Sequence, residues 1–179
     1  SEADIALRAM PKATAVIETQ CPATVAELPG SPLWLKSYDA AEISGLASDS
    51  AGNIVVARSG TELSKLSCAG TQLWSKPFGA QVAIDDRDNV YVAGTFTGML
   101  AVDASTLQAT GSAAFVVKLD AAGNVAYARV LGQAPDGAIE SLAVDGQGSV
   151  ALSGPGFGTA KLGELGNLLW QKTFSGQVQ

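Results

Sequence analysis

Lys118–Arg129 reads KLDAAGNVAYAR, and the same pattern occurs at two other places in the chain. KLSCAGTQLWSK stands at Lys65–Lys76 and KLGELGNLLWQK at Lys161–Lys172. The shared frame is Lys-Leu, a glycine four residues after the leucine, an aromatic ring four residues after the glycine, and Lys or Arg two residues later. The copies superpose without a gap. Each is an apolar stretch, a glycine turn and a second strand-like stretch, which together predict a β-hairpin.

A second frame precedes each copy. It reads ASDSAGNIVV at Ala47–Val56, AIDDRDNVYV at Ala83–Val92 and AVDGQGSVAL at Ala143–Leu152. An aspartate opens a turn by accepting hydrogen bonds from backbone just ahead of it, and Gly52, Asp88 and Gly148 stand where the turn tolerates positive φ. The β-branched residues that follow suit a strand. Two frames alternating in one order, in units of about 40–50 residues, are the signature of a repeat architecture. Four strands are expected per unit: 43–48, 53–58, 61–67 and 71–77; then 80–84, 89–95, 114–119 and 124–131; then 139–144, 149–153, 158–162 and 167–173. The expected fold is all-β and β-propeller-like, with about three four-stranded antiparallel blades on 33–179 and an N-terminal arm on 1–32.

The recurring rings, Trp74, Tyr127 and Trp170, are expected to pack between neighbouring sheets, each burying about 150–250 Å². The Lys or Arg two residues on can lay its stem over apolar surface and keep its charge in water. Trp34, with Lys36 in PLWLKSY, repeats the end of the hairpin frame and predicts a fourth strand that lacks its three predecessors.

Here the chain resembles the bacterial β-propeller repeat family, also called the seven-bladed β-propeller repeat. The likeness rests on Asp85–Gly94, Ala114–Asn124 and the Trp-x-Lys steps, across roughly 33–175. It implies an exported or surface-attached protein. Ser67 and Gly163 depart from the pattern, standing where the middle unit has Asp120. A further resemblance, Gly-x-x-x-Trp at Gly70/Trp74 and Gly166/Trp170, is to the tryptophan-docking motif of quinoprotein-type propellers. It implies packing and not a quinone.

The chemistry this chain lacks narrows its function. There is no histidine, so histidine-based triads and histidine–metal sites are excluded on this chain. Net charge is −6, with basic residues scattered singly, which argues against nucleic acid as a partner. No apolar run reaches the roughly 18 residues of a membrane helix. Two cysteines, Cys21 and Cys68, are too few for a structural zinc site and leave a disulfide or two unpaired thiols. The acids of DDRDN, Asp85, Asp86 and Asp88, could hold Ca²⁺. Asp49 and Asp145 take the same turn position without extra acids, which favours a plain hairpin turn.

The middle unit carries an insertion, Thr95–Ala113, between its second and third strands. It is either a binding loop on a rigid scaffold or ordinary length variation. In a blade it would leave on the same face as the connectors near Asp39–Glu42 and Gly132–Gly137. Asp39, Glu42, Asp103 and Asp136 are therefore the candidate acidic binding face. The expected function is a non-catalytic binding or scaffold module of an exported assembly, with no cofactor. A protein partner or a second copy would complete the propeller. Alternatives are a structural accessory subunit or a carboxylate-based glycan-acting enzyme, which needs two acids about 5–10 Å apart.

Overall fold

The middle unit shows why the chain stacks as sheets. In Val90-Tyr91-Val92-Ala93, Val90 and Val92 enter one hydrophobic core and Tyr91 and Ala93 the other. Successive side chains of a strand face opposite ways, so an unbroken apolar run belongs to a sheet covered on both sides. The third sheet, with one face uncovered among the described residues, has an interrupted run instead, VALSG at Val150–Gly154.

The structure is a computed structural model and describes residues 35–38, 42–134, 137 and 139–173. Among the described residues there are twelve strands and no helix. The first sheet has β1 (Ile43–Ser48), β2 (Ile54–Arg58), β3 (Glu62–Leu66) and β4 (Gln72–Lys76). The second has β5 (Gln81–Ile84), β6 (Val90–Val102), β7 (Ser105–Leu119) and β8 (Val125–Gln133). The third has β9 (Ser141–Val144), β10 (Val150–Gly154), β11 (Gly158–Leu162) and β12 (Leu168–Lys172). Each sheet is an antiparallel meander in chain order. The twelve strands fall where the two frames predict them, and β1 lies against β5 as β5 does against β9.

Two cores hold the stack. Val55, Ala57 and Leu63 of the first sheet meet Val90, Val92, Phe115 and Val117 of the second. Tyr91, Ala93, Val116 and Tyr127 of the second meet Val150, Leu152, Ala160 and Leu162 of the third.

The two frames share a single turn geometry. In each unit the first and third hairpins close with the N–H of the first turn residue donating to the carbonyl of the fifth. The N–H of the fourth donates back to the first, as at Asp49/Asn53, Asp120/Asn124 and Gly163/Asn167. Where an aspartate leads, its Oδ1 accepts from the N–H two and four residues on: Asp49, Asp85, Asp120 and Asp145 all do so. Ser67 keeps one such bond, from the Thr71 N–H to its Oγ at 3.1 Å. The departures at Ser67 and Gly163 thus leave the turn intact, because its backbone bonds do not need the carboxylate.

The aromatic rings bind one sheet to the next. A Cβ on Gly123 would lie 2.9 Å from the Trp74 ring, and one on Gly166 would lie 2.8 Å from the Tyr127 ring. Each ring therefore lies on the bare backbone of the following unit's turn, where glycine is required both by this contact and by φ of 88° and 77°. Trp74 Nε1 and Lys65 Nζ both donate to the Ala121 carbonyl, at 3.3 and 3.1 Å. Lys65 also pairs with Asp49 at 2.8 Å, and both side chains are almost fully buried.

Two expectations need correction. Thr95–Ala113 is not a loop: it continues β6 and β7 as a paired ribbon to a two-residue turn at Asp103–Ala104. Its apolar residues make it fold back. The register shifts at Thr97/Gly98, and Val102 is fully buried with Leu100, Leu107, Val125 and Ala128. The other correction concerns the entry strand: residues 35–38 form no strand, and Leu35 is exposed. Among the described residues no strand pairs with this segment. Trp34 and the 1–32 arm lie outside the described residues.

Removing one member of the buried pair isolates the other. Asp49→Ala leaves the Lys65 ammonium with only the Ala121 carbonyl, and should cost about 3–5 kcal/mol in urea unfolding. Lys161 pairs with Asp145 at 3.6 Å near the surface, so Asp145→Ala should cost clearly less than Asp49→Ala. Equal losses at the two sites would show that the buried pair has no special role.

The four turn aspartates also set an acid limit. At Asp49 and Asp85 burial pushes the carboxyl upward, but bonds from Lys65 and Asn53, and from Asn89 and Tyr91, outweigh it. At Asp120 and Asp145 the bonds from Asn124 and from the Ser149 N–H are the largest influence, and all four groups are held below their ordinary values. A carboxyl lowered by folding contributes stability above its unfolded value and loses it as pH falls through its folded value. Urea midpoints should be level down to about pH 5 and drop below about pH 4. Asp120→Asn should flatten part of that drop, and a midpoint that rises in acid would contradict the assignment.

Candidate functional site

A depression lies where the first strands begin. β1, β5 and β9 each start at the connector end of their sheet and run towards the aspartate turns. Their starts enclose a space of about 460 Å³ lined by Glu42, Ser44, Gln81, Gly94, Thr95 and Glu140. Its walls are held by backbone bonds: the Ser59 N–H donates to the Glu42 carbonyl at 3.0 Å, and the Glu140 N–H to the Ser153 carbonyl at 2.9 Å. Ser44 Oγ donates to the Ala80 carbonyl at 3.1 Å, tying the first sheet to the second. The side chains offered there are two exposed carboxylates, the hydroxyls of Ser44, Ser59 and Thr95, and the Gln81 amide. Such a set suits cationic and hydrogen-bonding groups of a partner.

Of the four acids expected to share one face, the structure places Glu42 in this depression. Asp103 is elsewhere. The folded-back ribbon carries it to Lys76 of β4, whose Nζ donates to both of its carboxylate oxygens at 2.8 Å. There it lines a separate groove along β8 with Asn124, Val125 and Arg129. The insertion therefore closes the outer side of the first core and is not an open binding loop. Asp39 and Asp136 lie outside the described residues.

Glu140, Ser44 and Gln81 were not singled out from the sequence. The signal for Glu140 was available: it stands three residues before Ala143, as Ser44 does before Ala47 and Ala80 before Ala83. The frame varies at this position, and the position faces the depression.

The acids of DDRDN are shared out among turns. Asp85 is buried and accepts from Arg87, Asn89 and the Tyr91 hydroxyl. Asp88 accepts from the Ser50 N–H at 2.8 Å and the Ser50 hydroxyl at 2.6 Å, which links the first two units. These bonds occupy the oxygens of a plain hairpin turn. Burial, and then the bond to Asp85, push the Tyr91 phenol far up, so it stays protonated and donating.

Cys68, in the turn between β3 and β4, is disulfide-bonded. Cys21, the chain's other cysteine, lies outside the described residues.

No family model matches the chain, and no curated protein matches it. Among solved structures, one described as a protein of unknown function from Bacteroides caccae is similar over 78% of this chain and 70% of that one. Identity is 14% and the TM-score 0.35, a likeness too low to carry an argument.

A Cys21–Cys68 bridge would close a loop of about 47 residues and contribute roughly 3–4 kcal/mol by the chain-entropy argument. Intact mass of the purified protein, alkylated without reductant, should show no added label, and two labels after reduction. Two labels before reduction would exclude the bridge.

Proposed function

We propose that this chain is an arc of a β-propeller of the bacterial repeat type and serves as a non-catalytic binding or scaffold module in an exported assembly. The observation that carries this reading is the convergence of β1, β5 and β9 on a depression lined by Glu42 and Glu140. Binding groups placed at the ends of well-packed strands are held rigidly while remaining accessible. The acids, with a chain charge of −6, favour a partner segment bearing Lys or Arg and would speed its encounter. A disulfide at Cys68 fits an oxidising compartment. Among the described residues, no helix is long and apolar enough to cross a membrane.

Photo-crosslinking groups at Gln81 and at Gln147 test the reading in the full chain. Gln81 lines the connector-end depression, and Gln147 lies in the opposite turns. Incubated with a cell-envelope extract, Gln81 should give discrete protein crosslinks that weaken in Glu42→Gln/Glu140→Gln and in high salt. Crosslinks confined to Gln147 would overturn the choice of face. Turnover of a glycan, ester or peptide in a broad screen would overturn the non-catalytic assignment.

A further inference from the structure

Both contacts between sheets set a ring on the following turn's glycine, and the third sheet carries the same parts with no fourth sheet against them among the described residues. Trp170 and Lys161 occupy in the third unit the positions of Trp74 and Lys65 in the first. Trp74 and Lys65 share the Ala121 carbonyl of the next unit's turn. Lys65 has a side chain 4% exposed, against 37% for Lys161. Trp170 is 43% exposed.

The rest of that face tells the same story. Ala151, Ser153 and Thr159 stand where the first sheet has Val55, Ala57 and Leu63 and the second has Tyr91, Ala93 and Val116. All six of those are fully buried, whereas the three on the third sheet are only partly covered. Ala151 and Thr159 are also smaller than their counterparts, which leaves room for large side chains such as the Val90, Val92 and Phe115 that the second sheet directs at the first. A unit built only to face water has no use for an indole and a paired ammonium at the docking positions.

We propose that this face is a docking surface for a further four-stranded antiparallel unit of the same kind. Its third hairpin turn carries glycine at the left-handed position, beneath the Trp170 ring. The carbonyl two residues before that glycine accepts from Trp170 Nε1 and Lys161 Nζ. The proposal rests on the reading of the chain as a propeller arc and names what its open end takes. A second copy of the chain is a poor occupant. Its first unit would have to present Val56 and Leu66, which are already 6% and 0% exposed. Residues 1–34 are a poor occupant too, because they lack the aspartate-turn frame and any complete copy of the hairpin frame.

The test extends the full chain beyond Gln179 with a copy of residues 78–133, whose natural neighbours are Trp74 and Lys65. A second extension carries a copy of residues 139–179. Acrylamide quenching of Trp170 is read as the difference from Trp170→Phe in each chain. At least one extension should cut that quenching several-fold, and Gly123→Val or Gly166→Val placed in the copy should restore it. Trp170→Phe should lower the melting temperature of the extended chain by several degrees and leave the original chain nearly unchanged. If neither extension protects Trp170, or the glycine variants protect it equally, the proposal is overturned. Concentration-dependent protection in the original chain would overturn it in favour of a second copy. The Gln81 crosslinks report on the connector end separately, so they can persist while docking fails, or fail while docking holds.

Discussion

A single carbonyl shows how this molecule is held together. The oxygen of Ala121 accepts from Lys65 and from Trp74, both on the preceding sheet. That geometry exists only because the turn around it carries glycine at its fourth position. There the backbone turns left-handed and leaves no Cβ between itself and the indole. The ring, the ammonium and the turn are one device. Without it the core contact between the first and second sheets would be non-directional and apolar, and the bonds that fix their angle and register would be left to the rims: Ser44 to Ala80, Ser50 to Asp88 and Lys76 to Asp103.

The device recurs with different chemistry in the second contact. Tyr127 replaces Trp74, lying over Gly166, and its buried hydroxyl has no hydrogen-bond partner among the described residues. Lys118 lies over the Tyr91 ring and Asp85 accepts from the Tyr91 hydroxyl, so the lysine–aspartate pairing of the first unit is replaced there by a phenol between them. The contact tolerates this change because shape, more than a particular ion pair, does the joining. The folded-back ribbon then seals the outer side of the first core, with Phe96 edge-on to Phe115 at 5.9 Å and Asp103 tied to Lys76.

Stacking has a consequence for function. Sheets joined in this way bring the starts of their first strands together, so the connector end collects side chains from units distant in sequence. Glu42 and Glu140 meet the same depression although almost a hundred residues of chain lie between them. The residues that pack the cores are under tight steric demand, while those at this end can vary from unit to unit without disturbing the stack.

The strands, their order and the turn type were legible because they depend on local chemistry. Asp-x-x-Gly-Asn closes a hairpin wherever it stands, and alternation fixes which neighbours share a face. The ring positions were legible for the same reason, as fixed offsets from a turn. The fate of Thr95–Ala113 was not legible. TFTGMLAVDASTLQATGSA reads as extra length, and only the open flank between β4 and β8 gives Val102 and Leu100 somewhere to bury. Nor did the sequence disclose that Asp103 would leave the acidic face for Lys76, or that Glu140 would join Glu42. Those outcomes depend on how one sheet is rotated against the next, which is decided by packing between residues far apart in the chain.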